Sequence, residues 1–137
     1  MIQRIQTVYL VLGAALLGVF AGLVGSESAV AATDMAWLTP TAVVLAAVAA
    51  LTCFASMLFY KDRQRQRKAI LAAQVLTLVV AAAAVARLFL TGAQGTEGEV
   101  GRYLIALLPV VGYVAVRLAR RGVDKDIALV RSMDRLR

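Results

Sequence analysis

Few side chains in this sequence have the chemistry for catalysis. The chain of 137 residues has no histidine and one cysteine. That leaves no set for zinc or haem ligation, no His-based acid–base pair and no disulfide. The cysteine, Cys53, lies in an uncharged apolar run and reads as a small packing residue, because a buried free thiol is inert. Arg87 is the one charge inside such a run. An ionisable group at membrane depth is a functional-site hypothesis by default. Arg87 stands about one turn from the end of its run, where a long side chain reaches the interface or pairs with Asp34, Glu97 or Glu99, so it is read as a structural intramembrane charge. No Asp, Glu or His falls inside any run, and proton-coupled transport relies on such embedded groups. Gln74 and Thr77, less than one turn apart, suit hydrogen bonds across helices better than substrate binding. The expectation is a non-enzyme with no catalytic, cofactor-binding or metal residues.

The densest charge is Lys61-Asp62-Arg63-Gln64-Arg65-Gln66-Arg67-Lys68, with five bases in eight residues. Each base near an anionic leaflet is worth about 1 kcal/mol, but a connector this short reads first as a topology determinant. Over the whole chain 15 Lys+Arg oppose 8 Asp+Glu, a net charge of +7. In a soluble protein that excess would point to nucleic acid. Here the bases cluster between apolar runs, so no nucleic-acid partner is expected.

Those runs are the elements that must hold everything else. Hydrophobic residues make up 61% of the chain and the mean hydropathy is +0.80. A 14.5 kDa chain cannot hide so much apolar surface in its own interior, and the lipid bilayer is the phase that takes it. Uncharged stretches cover Thr7–Val24, Thr41–Tyr60, Ala69–Ala86 (with the pattern continuing past Arg87 to Leu90) and Tyr103–Val116. About 17–25 apolar residues span a hydrocarbon core about 30 Å thick. The first three stretches suffice, and the fourth suffices if Arg102 and Arg117 snorkel outward. Continuous runs rich in Ala, Leu and Val without alternation specify helices rather than barrel strands. Gly25-Ser26, Gly92, Gly95 and Gly122 are expected to follow helix ends, Thr39-Pro40 to start the second helix with Thr39 as its cap, and Pro109 to kink the fourth. The fold expected is all-α: a four-helix transmembrane bundle in a single domain, with spans at about 7–25, 41–60, 69–90 and 102–118, and a short amphipathic cytoplasmic C-terminal helix within 119–137.

The loop charges set the orientation. Arg4, the 61–68 segment and the tail bases from Arg117 onward lie on one side. The first loop, Ser26–Pro40, holds no base. The positive-inside rule places both termini and the middle loop in the cytoplasm, which for a bacterial protein means multi-pass insertion in the cytoplasmic (inner) membrane. Tyr9, Phe59 and Tyr60 then fall near the inner interface, and Trp37, Phe89 and Tyr103 near the outer one; Tyr113 is expected to pack within the bundle. Arg4, the first run and Ala29-Val30-Ala31 have the outline of a signal peptide. The run is too long for one, however, and cleavage would leave three spans, so the first span is expected to be retained.

Two stripes of small residues, Ala14/Gly18/Gly22/Ser26 and Ala42/Ala46/Ala50, are spaced for close helix packing, first of all within the bundle. In the tail, Leu129, Val130, Met133 and Leu136 share one arc of a helix, with Arg131 and Arg135 opposite. Such a helix lies on head groups or docks on a partner. The candidate cytoplasmic contact surface is Gln3, Arg4 and Gln6 together with Arg131, Asp134 and Arg135. The function expected is non-enzymatic, through lipid or protein contacts, as an accessory subunit of a membrane complex. The alternative is a small transporter or channel formed by a homo-oligomer.

The two ends carry a family resemblance. Met1-Ile2-Gln3-Arg4-Ile5-Gln6-Thr7-Val8-Tyr9-Leu10 and Leu129-Val130-Arg131-Ser132-Met133-Asp134-Arg135-Leu136-Arg137 resemble the termini of a family of small four-span membrane proteins of the Bacteroidota, a domain of unknown function. Lys61–Lys68 corresponds to its basic loop, and Met133 stands where a smaller residue is expected. The resemblance implies a bacterial cytoplasmic membrane and brings no site residue with it.

Overall fold

A computed structural model describes residues 2–26, 37–90 and 99–134. They form four helices: α1 (Ile2–Ser26), α2 (Leu38–Leu58), α3 (Arg63–Leu90) and α4 (Glu99–Asp134). All four are long and apolar enough to cross a membrane, and the chain is a multi-pass, all-α membrane protein.

The helices pack in a ring, each against its neighbour in sequence, with α1 closing against α4. Neighbours run antiparallel. Gln6 at the start of α1 meets Asp126 near the end of α4. Arg67 near the start of α3 also meets the last part of α4, at Asp124. Arg87 near the end of α3 meets Thr39 at the start of α2. The start of α1, the last part of α4 and the turn between α2 and α3 therefore share one end of the bundle, which carries most of the described arginines.

Each helix faces the core at alternating intervals of three and four residues. The buried positions include Gln6, Leu10, Gly13, Leu17, Phe20 and Val24 on α1, and Ala42, Ala46, Ala49, Cys53 and Ser56 on α2. On α3 they include Ile70, Ala73, Thr77, Val80, Ala84 and Arg87, and on α4 Pro109, Gly112, Val116, Ala119 and Val123. This is the heptad spacing that keeps one seam facing inward along a left-handed bundle. Half of these seam residues are small. Lipid supplies no hydrophobic drive between helices, so close backbone approach and dispersion hold the seam together. Helices α1 and α4 approach closely at Gly13. A Cβ built on Gly13 would lie 2.9 Å from a Val116 methyl and 3.5 Å from the Gly112 carbonyl oxygen. Cys53 is fully enclosed in this core, and the Ser56 and Thr77 hydroxyls donate to carbonyls of their own helices.

Several helix boundaries differ from expectation. Helix α3 starts at Arg63 and not near Ala69, so most of the basic segment is helical. Lys and Arg are good helix formers, and Asp62 caps the end: its Oδ1 accepts the Gln64 and Arg65 backbone N–H groups at 3.1 Å each. Gly122 does not end α4, which runs on for 36 residues, about 54 Å at 1.5 Å per residue. The amphipathic stretch is thus the continuation of α4. Pro109 lies inside this helix, as expected of the fourth span. Thr39 does not cap α2; Trp37 precedes it without a side-chain cap, and the Thr39 hydroxyl accepts instead from Arg87. Of the first small-residue stripe only Ala14 is buried. Gly18, Gly22 and Ser26 face outward, and no atom lies within 4 Å of a Cβ on either glycine. The second stripe does pack inward at Ala42 and Ala46.

Candidate functional site

Polar side chains close the apolar seam at both ends. At the end opposite the arginine-rich one, Arg87 is only 9% exposed and its Nε donates to Thr39 Oγ1 at 3.3 Å. The acids proposed to pair with it, Asp34, Glu97 and the side chain of Glu99, lie outside the described residues. At the arginine-rich end Gln6 is 4% exposed, and its Nε2 donates to Asp126 Oδ2 at 2.8 Å. The seam spacing that starts from Gln6 on α1 and ends at Asp126 on α4 sets that meeting. A Cβ on Gly122 would fall 2.7 Å from Gln6 Cγ, so only glycine there lets the Gln6 stem lie flat against α4. Among the described residues no buried side-chain nitrogen or oxygen lacks a hydrogen-bond partner.

One position round from that seam, α3 and α4 share a denser network. Arg67 Nε lies 2.6 Å from Asp124 Oδ1, and Arg120 Nε lies 3.8 Å from Asp124 Oδ2. Arg120 Nη1 donates to Gln74 Oε1 at 3.1 Å. Gln74 Nε2 donates to the Tyr113 hydroxyl oxygen at 3.1 Å, which also accepts from Arg117 Nη1 at 3.4 Å. A guanidinium only donates, so the amide orientation of Gln74 is forced: oxygen toward Arg120, nitrogen toward Tyr113. Residues 61–68 and 117–131 together hold ten bases and three aspartates. Asp62 is taken by Arg65 and the start of α3, Asp124 by Arg67 and Arg120, and Asp126 by Gln6. Among the described residues no ion pair joins Lys68, Arg117 or Arg121 to a carboxylate.

The expected contact surface falls partly on these elements. Gln6 is turned into the bundle. Arg131 is exposed near the end of α4. The side chains of Gln3, Arg4 and Asp134, and all of Arg135, lie outside the described residues. Gln74 does bond across helices, as its type suggested, whereas Thr77 bonds only its own helix. The network with Arg120 and Asp124 was not read from the sequence. Its one local signal is four-residue spacing on α4, Tyr113 to Arg117 to Arg121 and Arg120 to Asp124, which places each pair on one helix face.

A family model described as Domain of unknown function (DUF4293) matches residues 2–136. The chain belongs to this family. As a DUF4293 protein it contains the whole polar cluster within the matched region, and the resemblance of its two ends holds at the level of the family. The family description names no activity. No curated protein and no solved structure gives a significant match to the chain.

Proposed function

We propose that this protein is a non-enzymatic subunit of the bacterial cytoplasmic membrane, with both termini in the cytoplasm, that works through contacts made at its arginine-rich end as an accessory component of a larger membrane complex. The observation that carries this reading is the free end of α4. Beyond Asp126, opposite the start of α3, the helix continues for two more turns. There Leu129 and Met133 are 53% and 66% exposed, with Val130 beside them. An apolar strip held out on a rigid helix at a charged end is a surface for a partner to cover. The aliphatic, internally bonded core supports a contact role over a transport role. A small oligomeric transporter or channel is the second reading; the outward-facing Gly18 and Gly22 support it, since a second copy could approach them closely.

Orientation is tested by labelling from outside the cell, with the buried Cys53 contributing no background. Cysteines replacing Glu27 or Glu97 should react, and those in Gln64→Cys and Ser132→Cys should not. External labelling at position 64 overturns the assignment. The contact is tested by mild-detergent purification. Wild type should bring down a stoichiometric membrane-protein partner, and Leu129→Asp should lose it at every salt concentration while all four spans still insert. Graded, salt-sensitive weakening seen only in Arg131→Ala/Arg135→Ala marks a lipid contact instead, and unchanged recovery with every variant sinks the tail as the functional surface.

A further inference from the structure

The groove between α3 and α4 at the arginine-rich end contains two adjoining cavities with Arg120 as their common wall. One, about 250 Å³, is lined by Arg117, Arg120 and Arg121 with Gln74 and Asp124. The other, about 200 Å³, is lined by Arg67, Lys68 and Arg120 with Gln64 and Leu71. We infer that this groove binds a lipid bearing two phosphates, one phosphodiester on either side of Arg120.

The charge count favours anions in both cavities. Five bases line the pair against one aspartate, and that aspartate is spent orienting Arg67 and Arg120. Lys68, Arg117 and Arg121 are left with their charge for a ligand. Arg120 is held by Gln74 Oε1 and Asp124, so its planar fork is set before any ligand arrives. Guanidinium groups suit phosphate oxygens, which they meet with paired N–H donors. Basic pockets between membrane helices are the kind of site that takes doubly anionic head groups.

The surroundings favour a lipid over a soluble phosphate. Moving away from the charged end, residues three and four apart share a helix face. On α3 that ridge runs from Arg67 to Leu71, Val75 and Leu78; on α4 it runs from Arg121 to Leu118, Val114 and Val110. All six aliphatic residues are exposed. Acyl chains lying on those ridges would hang from phosphates held in the cavities. The inference rests on the membrane reading of the four helices and is independent of any partner at the end of α4.

The test is lipid binding by the purified full chain in nanodiscs of phosphatidylcholine doped with either diphosphatidylglycerol or phosphatidylglycerol at equal total charge. The two-phosphate lipid should bind at least about tenfold more tightly per molecule. Arg67→Gln/Lys68→Gln and Arg117→Gln/Arg121→Gln should each reduce it to the level of the one-phosphate lipid, roughly fivefold for each base removed. Arg120→Gln should remove the preference altogether. Lys61→Gln/Arg65→Gln removes two bases at the same end that line neither cavity and should leave the preference intact. Equal affinity for the two lipids, or an equal loss in the Lys61/Arg65 variant, overturns the site in favour of general attraction. Inorganic diphosphate should compete weakly; if it binds as tightly as the lipid, the acyl ridges take no part and the lipid assignment fails. Any variant that no longer elutes as wild type is replaced by its Lys or Arg exchange, which should restore binding.

Discussion

Gly13→Leu should break the bundle apart between α1 and α4, while Gly18→Leu, five residues along the same helix, should leave it standing. A Cβ at position 13 lies 2.9 Å from a methyl of Val116, a β-branched residue with no exposed surface and so with no free rotamer to yield. Behind it is the Gly112 carbonyl oxygen at 3.5 Å, part of a backbone that cannot retreat without lifting α4. Overpacking of this kind costs about 1–3 kcal/mol for added methylenes, and three further carbons aimed into the seam place Leu at or above the upper figure. At position 18 there is no atom within 4 Å, and replacing a mid-helix glycine removes a penalty of about 1 kcal/mol. Unfolding in mixed micelles followed by helix content should give a lower midpoint for the first variant and an unchanged or higher one for the second. Equal midpoints would show that the α1–α4 crossing is not where the structure places it.

Arg87→Glu should lower the amount of folded protein sharply, and Arg87→Lys should be tolerated. The guanidinium is almost fully enclosed and bonded to Thr39 of α2. Glu removes the donor and places an opposite charge in the same enclosure on a shorter stem. An uncompensated buried charge costs about 3–5 kcal/mol, comparable to the whole stability of a small domain. Lys keeps the sign and can still donate to Thr39 or reach the interface. Accumulation in membranes and thermal stability after extraction both report the effect. A Glu variant that accumulates and melts as wild type does would remove any structural role for this charge.

The first three spans were legible because a run of 18–20 uncharged residues leaves little else to be, and the fourth, uncharged only from Tyr103 to Val116, because its flanking arginines can snorkel. The seam was not legible, and the reason lies in the solvent. In water the buried stripe of a helix stands out by hydrophobicity. In lipid Leu51 and Val75 face outward and are as apolar as anything inside, so the contrast that marks a heptad is gone. What distinguishes the inside is size, as at Ala42, Ala46 and Ala49, but size alone misleads: Gly18 and Gly22 are as small and face away. Charge and glycine are poor guides to the helix boundaries: the basic segment from Arg63 to Lys68 is helical, and Gly122 makes room for Gln6 inside α4. The α3–α4 network escaped because its members are 46 residues apart in the bond from Arg120 to Gln74 and 57 in that from Arg67 to Asp124, and nothing in one sequence fixes the register that joins them.

The ring closes through the two helices made first and last. The bond between Gln6 and Asp126 joins positions 120 residues apart, and the notch at Gly13 fits a strand of backbone around Gly112 that is synthesised about as late. The contacts that fill the Gln6 amide and the Gly13 notch are therefore made by chain synthesised about a hundred residues later. Closure of the ring is thus a late event: a chain halted before Asp126 lacks the acceptor that meets Gln6 in the folded bundle.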